Sequence, residues 1–331
     1  MEKLKLGIIG TGHLGKIHTK VSKTLENCEL TGIYDKDAEK AALVCDEFNV
    51  KAYNQLDGLL DSCDAVSIVA TTSAHYDLAK ICLEKGKHVF VEKPITVHIW
   101  EAEELVKIAK ENKLNLQVGH IERFNPALVS LEKYDLDPKF IQTDRLAQFN
   151  PRGTDVAVVL DLMIHDIDII LSLVKSEVRD IHASGVAVVS DNIDIANARI
   201  EFENGAVANV TASRISQKKM RKMRMFQRDA YISLDFITGV SEVYRLLDPE
   251  QLESPDNRYI SFGEMGVGDK KKHVVYEQPE QKEINAMQYE LQLFVDSILK
   301  KERPRVSGED GLKALKVAQI IIKKIEESAL S

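Results

Sequence analysis

From Leu4 to about His120, short apolar runs rich in β-branched residues alternate with amphipathic stretches. Strands are predicted over Leu4–Ile9, Glu29–Tyr34, Ala65–Ala70, His88–Val91 and Leu114–Val118. Helical spacing lies between them, as in Ser73–Lys85 and His98–Asn112. Because strands without polar alternation must be covered on both faces, this pattern predicts a parallel sheet with helices on both sides.

After about Ile121 the pattern changes to one apolar helix, predicted over Val158–Val174, followed by runs that alternate apolar and polar residues. These runs are Ile195–Phe202, Ala206–Ser213, Met223–Phe226, Tyr231–Phe236 and Val240–Leu247. Asn204-Gly205 stands between the first two runs and predicts a hairpin turn with both residues at positive φ. The second half is therefore expected to be a mostly antiparallel sheet.

Residues from about 248 to 282 are polar and interrupted by Pro and Gly, so a loop is predicted there. Two helices, roughly Asn285–Lys300 and Gly308–Glu327, are predicted to close the chain. With 331 residues, the chain is long enough for two domains.

The net charge of −8 argues against a general nucleic-acid binder, since phosphate backbones require a basic surface. No apolar run is long enough to span a bilayer and no signal peptide is recognised, so a cytoplasmic protein is expected. The four cysteines, Cys28, Cys45, Cys63 and Cys82, form no Cys-x-x-Cys pair. They are predicted to be free thiols in a reducing compartment, and no metal site is expected.

The strand over Leu4–Ile9 runs directly into Gly10-Thr11-Gly12-His13-Leu14-Gly15, a Gly-x-Gly-x-x-Gly motif that opens a helix. Gly10 permits a tight turn, Gly12 lets a pyrophosphate approach the backbone, and Gly15 lets the helix pack close to the strand. The helix N-terminus offers amide N–H groups to the phosphates. The predicted dinucleotide site includes the intervening residues Thr11, His13 and Leu14.

Asp35 ends the second predicted strand, twenty residues after Gly15. An acid at this place accepts hydrogen bonds from the ribose hydroxyls of NAD. Its charge should also repel a 2′-phosphate, so NAD is predicted in preference to NADP. The neighbouring Lys36 weakens that preference.

A second constellation, His88-Val89-Phe90-Val91-Glu92-Lys93-Pro94, ends the fourth predicted strand. A lysine at the carboxyl end of a parallel strand lies where ligands bind in open α/β sheets. Pro94 restricts Lys93 to an extended backbone and ends the strand. The residues alone leave two interpretations open, a surface Lys-Pro turn and a ligand-binding lysine.

Together, Gly10–Gly15 and Glu92-Lys93-Pro94 resemble the Gfo/Idh/MocA family of NAD(P)-dependent oxidoreductases, and the resemblance covers essentially the whole chain. It implies a Rossmann dinucleotide-binding domain over 1–121, followed by an α+β substrate and oligomerisation domain with a mostly antiparallel open sheet over 122–331. It also implies that Lys93 lies beside the nicotinamide and the substrate hydroxyl. Further cofactor contacts are expected from Thr71, Thr72, His75, Glu92 and Pro94.

Asp161 and His165 are four residues apart on the predicted apolar helix, so they share a face, and Asp168 is expected to continue it. A carboxylate one turn before a histidine can fix its tautomer and raise its basicity. The family resemblance favours a catalytic role for this pair over a structural one. His165 is the preferred proton acceptor with Lys93 polarising the oxygen, and the opposite assignment stays open.

Arg123, Asn125, Arg152 and Arg214 are predicted to contact substrate, and Arg214 begins a basic run that extends to Arg224. That run is either a solvated strand edge or an anion site for a phosphorylated or nucleotide-linked sugar. The chain resembles the branch of the family that oxidises the 3-hydroxyl of a UDP-linked N-acetylated sugar. Open alternatives are a dehydrogenase of a free sugar, inositol or other polyol, and a non-catalytic NAD-sensing regulator. A homodimer or homotetramer formed through the second-domain sheet is expected, with neither a nucleic-acid nor a membrane partner.

Overall fold

The computed structural model of the protein describes residues 3–150, 156–248, 259–268 and 271–329. Contacts divide the chain into two compact units, residues 1–124 with 284–316 and residues 125–283 with 317–331. Residues 284–316, which sequence analysis placed in the second domain, are grouped with the first unit, and the limits 1–121 and 122–331 stay a prediction for independently folding domains. Among the described residues, no helix is both long and apolar enough to cross a membrane.

The first unit is built on a five-stranded parallel sheet in the order β2-β1-β3-β4-β5. Its strands are β1 (Leu4–Ile9), β2 (Cys28–Tyr34), β3 (Ala65–Ile68), β4 (His88–Glu92) and β5 (Leu116–Gly119). The predicted strands are confirmed to within two residues at each end. The helices of the N-terminal part are α1 (His13–Ser22), α2 (Ala38–Phe48), α3 (Leu56–Leu60), α4 (His75–Glu84) and α5 (Ile99–Glu111).

The second unit contains a nine-stranded sheet in the order β13-β14-β12-β11-β10-β6-β9-β8-β7. After a short helix α6 (Pro126–Val129), its elements are β6 (Phe140–Leu146), α7 (Ile164–Leu173), β7 (Val178–Val186), β8 (Ile195–Phe202), β9 (Val207–Ser213), β10 (Met220–Phe226), β11 (Ala230–Asp235), β12 (Val240–Leu247), β13 (Ile260–Met265) and β14 (Lys272–Glu277). Neighbouring strands are antiparallel except β6 and β9, which run parallel. The prediction of a mostly antiparallel sheet is confirmed.

The two closing helices are α8 (Ala286–Lys300) and α9 (Gly308–Ala329). On α8, Leu291 and Phe294 are fully buried in the same core cluster as Ile8 of β1 and Phe90 of β4. The rings of Phe90 and Phe294 meet edge to face with centroids 5.8 Å apart. This helix therefore completes the core of the first unit, although it lies far along the chain.

The loop predicted over 248–282 is wrong at Ile260–Met265 and Lys272–Glu277, because these residues form β13 and β14, which pair antiparallel. β13 is exposed along its whole length, so no buried face imposes the apolar alternation from which a strand is recognised. β6 was missed for a related reason. Its buried positions are Ile141, Thr143 and Arg145, and two of these three are polar.

The hairpin between β8 and β9 is confirmed, but its predicted turn geometry is wrong. Gly205 has a φ of +80°, and Asn204 is not among the described residues with positive φ. The amide of Gly205 donates to the carbonyl of Phe202, and the amide of Phe202 donates to that of Ala206. This is a three-residue loop with glycine in the left-handed position, which demands positive φ at only one residue.

The helix predicted over Val158–Val174 starts with a π-helical turn over Val159–Met163 and continues as α7. Asp161 thus lies in the π turn and His165 in the regular helix. Asp168 is buried, as are Asp166 and the three isoleucines around it, so α7 is enclosed on more sides than a narrow apolar stripe implies. Arg145 of β6 donates from Nε and Nη2 to the Asp166 carboxylate at 2.9 and 2.8 Å, a buried bidentate pair.

Candidate functional site

The glycine turn has the geometry that the motif predicts. Gly10 has a φ of +100°, and a Cβ added there would lie 2.7 Å from the carbonyl oxygen of Val69. A Cβ on Gly15 would lie 2.1 Å from the carbonyl oxygen of Gly10, so only glycine lets α1 pack so close. Around a Cβ on Gly12, by contrast, no described atom lies within 4 Å. The space over Gly12 is the side from which a pyrophosphate can approach.

Asp35 is held in place by the turn itself. Oδ2 of Asp35 accepts hydrogen bonds from the backbone amide of Thr11 at 2.7 Å and from its hydroxyl at 2.9 Å. Oδ1 accepts from the amide of Asp37 at 2.9 Å. Each carboxylate oxygen has further lone pairs, so the fixed group can still accept ribose hydroxyls.

A cavity of about 610 Å³ lies over this turn in the first unit. Of the predicted cofactor residues, it is lined by Gly10, Gly12, His13, Leu14, Asp35 and Thr71. The residues that sequence analysis missed are Ile9, Tyr34, Lys40, Val69, Ala70, Ala74, Asp77 and Leu78, together with Lys36, named only for its charge. Several of them stand beside a predicted residue or in the first turn of α4, which follows β3 as α1 follows β1. That repetition of strand and helix is the signal that could have identified them.

The remaining predicted cofactor residues are not among the described residues that line this cavity. Thr11 and Gly15 are buried within the turn, and Thr72 lies in a 3₁₀ turn over Thr72–Ala74. His75 is buried, with Nδ1 2.9 Å from the carbonyl oxygen of Pro94 and Nε2 3.1 Å from that of Ala70. Burial lowers the pKa of His75 against the raising effect of these carbonyls. The neutral ring has a single N–H, so it donates to one of these two carbonyl oxygens and lies against the other.

Glu92, Lys93 and Pro94 follow one another at the carboxyl end of β4, with Glu92 and Pro94 buried and Lys93 half-buried. Burial opposes the charge on Glu92, but the hydrogen bond from His18 and the charges of His18 and Lys93 outweigh it. The pKa of Glu92 is therefore below its usual value. An ionised carboxylate thus lies one residue before Lys93.

In the second unit, a separate cavity of about 530 Å³ contains Asp161 together with three cations, Arg214, Lys219 and Arg221. The rest of its lining is Leu146, Ala147, Gln148, Phe149, Asn150 and Leu162. Two residues that the sequence placed far apart, Asp161 and Arg214, are thus brought together. A cavity with three cations and one acid suits an anionic ligand.

Arg214 also has structural partners. It is 4% exposed, lies 3.7 Å through Nε from Oδ1 of the fully buried Asp194, and donates to the carbonyl oxygen of Val156. Burial opposes the charge of Asp194, but amide and hydroxyl donors from Val188 to Ser190 outweigh it and lower its pKa to about 2. Arg214 is therefore held in the cavity wall by these partners.

The other predicted substrate residues lie in different settings. Arg123 is half-buried in a 3₁₀ turn over Ile121–Phe124. Asn125 caps α6, accepting from the amide of Ala127 and donating to the carbonyl of Phe236. His165 is half-buried at the start of α7. Arg152 lies outside the described residues.

The basic run does not form a strand edge, because β10 pairs with β11 on one side and β6 on the other. Lys222 and Arg224 alternate with the buried Met223 and Met225 and pair across strands, Lys222 with Asp235 at 3.5 Å and Arg224 with Asp144 at 3.6 Å. Lys219 and Arg221 line the cavity instead. The run is thus divided between a salt-bridged sheet face and the anion-compatible cavity.

Two family models match the chain. One, described as an oxidoreductase family with an NAD-binding Rossmann fold, covers residues 4–120, and the GFO/IDH/MocA C-terminal domain covers residues 137–232. UDP-N-acetylglucosamine 3-dehydrogenase of Acidithiobacillus ferrooxidans is 40% identical over 245 residues, 74% of this chain and 78% of that protein. The chain belongs to the Gfo/Idh/MocA oxidoreductase family.

A solved structure shares the fold over nearly the full length of the chain. That of UDP-N-acetylglucosamine 3-dehydrogenase from Acidithiobacillus ferrooxidans has a TM-score of 0.87 and 34% identity, covering 99% of both chains. Myo-inositol 2-dehydrogenase of Thermotoga maritima is 25% identical over 98% of this chain and 97% of its own.

As a Gfo/Idh/MocA oxidoreductase, the chain binds NAD through its Rossmann unit. The described residues fit that cofactor, since the space over Gly12 is open and Asp35 is fixed at the end of β2. Within the part of the chain that the structure describes, no three His, Cys, Asp or Glu side chains are grouped so that they could hold a metal ion. The four cysteines are free, as predicted, and burial raises the pKa of Cys28 and Cys63 to about 11 and that of Cys82 to about 12.

Proposed function

We propose that the protein oxidises the 3-hydroxyl of a UDP-linked N-acetylated sugar, with UDP-N-acetylglucosamine as the leading candidate. The observation that carries this proposal is the cavity of the second unit, where Arg214, Lys219 and Arg221 accompany Asp161. A neutral polyol needs no such cations, whereas a nucleotide sugar carries a diphosphate that they can bind. The 40% identity to a UDP-N-acetylglucosamine 3-dehydrogenase supports the same substrate.

When bound, NAD supplies the acceptor for the hydride that leaves the carbon bearing the hydroxyl. The hydroxyl proton must go to a base as the ketone forms, and we assign it to Nε2 of His165. In this assignment the ammonium of Lys93 donates to the reacting oxygen and stabilises its developing negative charge. Asp161 orients His165. The products are the 3-keto sugar nucleotide, NADH and one proton.

The assignment of base and electrophile is tested by substitution. His165→Ala should reduce kcat at least about 100-fold, the usual range for loss of a general base. Lys93→Met should reduce it as strongly. If His165→Ala keeps near-normal turnover while Lys93→Met abolishes it, the two roles must be exchanged.

The substrate is tested by NADH formation from UDP-N-acetylglucosamine, with N-acetylglucosamine and myo-inositol as comparators and hydroxylamine present to trap the ketone. Turnover of the nucleotide sugar alone is expected. Equal or faster oxidation of myo-inositol would favour a polyol dehydrogenase. NADH binding without turnover of any sugar would favour a non-catalytic NAD sensor.

We also propose a homo-oligomer that assembles through the sheet of the second unit, in a reducing compartment such as the cytoplasm. An aromatic row supports this assembly: Phe140, Phe226, Tyr231, Tyr244 and Tyr276 lie on adjacent strands with successive ring centroids 4.8 to 5.8 Å apart. Phe226 is 42% exposed. Sedimentation equilibrium of Phe226→Lys should show a smaller assembly than the wild type, and unchanged mass would contradict the proposal.

A further inference from the structure

His18 lies three residues after the last glycine of the turn, on the buried side of α1. Its imidazole is fully buried against the neighbouring strands β3 and β4 of the first sheet. Nδ1 lies 2.9 Å from the hydroxyl of Ser67 in β3, and Nε2 lies 3.1 Å from Oε1 of Glu92 in β4. A side chain of the helix that follows the glycine turn thus reaches the end of β4.

The donors and acceptors in this cluster are complementary. Glu92 is ionised and can only accept, so Nε2–H of His18 donates to it. Nδ1 lies within hydrogen-bond distance of the hydroxyl of Ser67, which is itself fully buried and can either donate to the ring or accept from it. A satisfied polar network in an apolar core fixes one arrangement of its members, since any displacement leaves a buried group without a partner.

The second carboxylate oxygen of Glu92 contacts the backbone of Lys93. Oε2 of Glu92 lies 3.3 Å from the backbone nitrogen of Lys93, which donates to it. Gly119, paired with Glu92 across β4 and β5, leaves room for the carboxylate. A Cβ at Gly119 would lie 3.0 Å from three atoms of the Glu92 carboxylate group.

We propose that Ser67, His18 and Glu92 form a positioning chain that couples α1 to the backbone of Lys93. The inference rests on the proposed function for the role of Lys93 and adds two positioning residues, His18 and Ser67, that this function does not assign. In this arrangement, the cluster fixes the position of α1, which follows the dinucleotide turn, relative to Lys93, the proposed catalytic lysine. Glu92 joins the two, because Oε1 accepts from His18 on α1 and Oε2 accepts from the backbone amide of Lys93.

The test compares His18→Gln with His18→Leu. A glutamine offers an N–H to Glu92 and an oxygen to Ser67, so it keeps both contacts, whereas leucine keeps neither. His18→Leu should lower kcat for UDP-N-acetylglucosamine about 100-fold, the effect expected of a small misplacement at a reacting centre. The KM for NAD should stay within about 3-fold, and His18→Gln should recover most of the lost kcat.

Ser22→Ala is the matched control, because Ser22 is buried on the same helix and its hydroxyl has no hydrogen-bond partner among the described residues. Its kcat should equal that of the wild type. Gly119→Ala provides an independent arm, since it displaces the Glu92 carboxylate without removing a polar group, and it should also lower kcat. Ser67→Ala serves if His18→Leu does not fold, and should lower kcat in the same direction.

The proposal is overturned if His18→Leu and Ser22→Ala have the same kcat, or if His18→Gln is as impaired as His18→Leu. If the wild type turns over no sugar, the proposed function fails, and the chain is tested by amine acylation of Lys93 followed by mass spectrometry. The acylation rate should rise in His18→Leu and match the wild type in His18→Gln. Equal rates in all three proteins would then refute the positioning chain.

Discussion

Thr11 donates two hydrogen bonds to one oxygen of Asp35, from its amide at 2.7 Å and its hydroxyl at 2.9 Å. The glycine turn and the acid at the end of β2 are therefore one rigid unit before any ribose arrives. Preorganisation of this kind strengthens binding because the ligand does not have to order the site.

Thr11→Val tests this preorganisation. It removes the hydroxyl bond but keeps the amide bond and the side-chain shape, so it should cost about 1 kcal/mol of NADH binding, roughly a 5-fold increase in Kd. Fluorescence titration with NADH measures it. Thr11→Ser, which retains the hydroxyl, should bind like the wild type, and equal weakening in both variants would show that the bond does not matter.

Substitutions of Gly12 and Gly15 should have different effects. Gly12→Ala places a methyl group in open space, so Tm should be unchanged while NADH binding weakens at least about 10-fold. Gly15→Ala places one 2.1 Å from the Gly10 carbonyl oxygen and should lower the free energy of unfolding by about 2 kcal/mol. Thermal unfolding together with NADH titration separates the two effects. A large loss of Tm in Gly12→Ala would contradict the geometry.

The cations of the second-unit cavity should contribute to binding of the nucleotide sugar. Lys219→Ala combined with Arg221→Ala should raise the KM for UDP-N-acetylglucosamine at least about 10-fold, and rising salt should change it less than in the wild type. Lys222→Ala is the matched control, since Lys222 comes from the same run but pairs with Asp235 on a sheet face. Steady-state kinetics at two salt concentrations decide. Equal changes in KM in the double variant and in Lys222→Ala would indicate an effect of general surface charge.

Asp194 should make stability depend on acid pH. Its folded pKa of about 2 lies below the unfolded value of about 3.9, so its contribution is complete above pH about 4 and is lost as the pH falls to about 2. Asp194→Asn should unfold more easily at neutral pH and lose less stability over that acid range. Urea unfolding at several pH values measures this, with the exposed Asp191→Asn as control. Parallel pH curves for wild type and Asp194→Asn would contradict the prediction.

The Rossmann unit was predictable because its signals are local. Strand, glycine turn, helix and acid follow one another between Leu4 and Asp35, and each step restricts the backbone or the chemistry of the next. The consecutive strands β8 to β12 were also found from their alternation, with β8 and β12 predicted to the residue, whereas β6, β7, β13 and β14 were missed.

The failures are tertiary in origin. β6 buries Arg145 because Asp166 neutralises it, and no pattern within β6 reveals that partner. The assignment of α8 to the first unit depends on Phe90, which lies far earlier in the chain, and is invisible to periodicity. The salt bridge of Arg214 with Asp194 and the hydrogen bond from Asn125 to the carbonyl of Phe236 likewise depend on partners that only folding brings near.

The π turn over Val159–Met163 has a consequence for protein engineering. A π turn is wider than an α-helical turn because its hydrogen bonds join residues five apart instead of four. Each residue of a π turn therefore rotates the chain by less than the about 100° per residue of a straight α-helix. Transplanting the Asp161 to His165 segment onto a straight designed helix would therefore keep the sequence and lose the relative direction of the two side chains. A faithful graft must carry the wide turn with it.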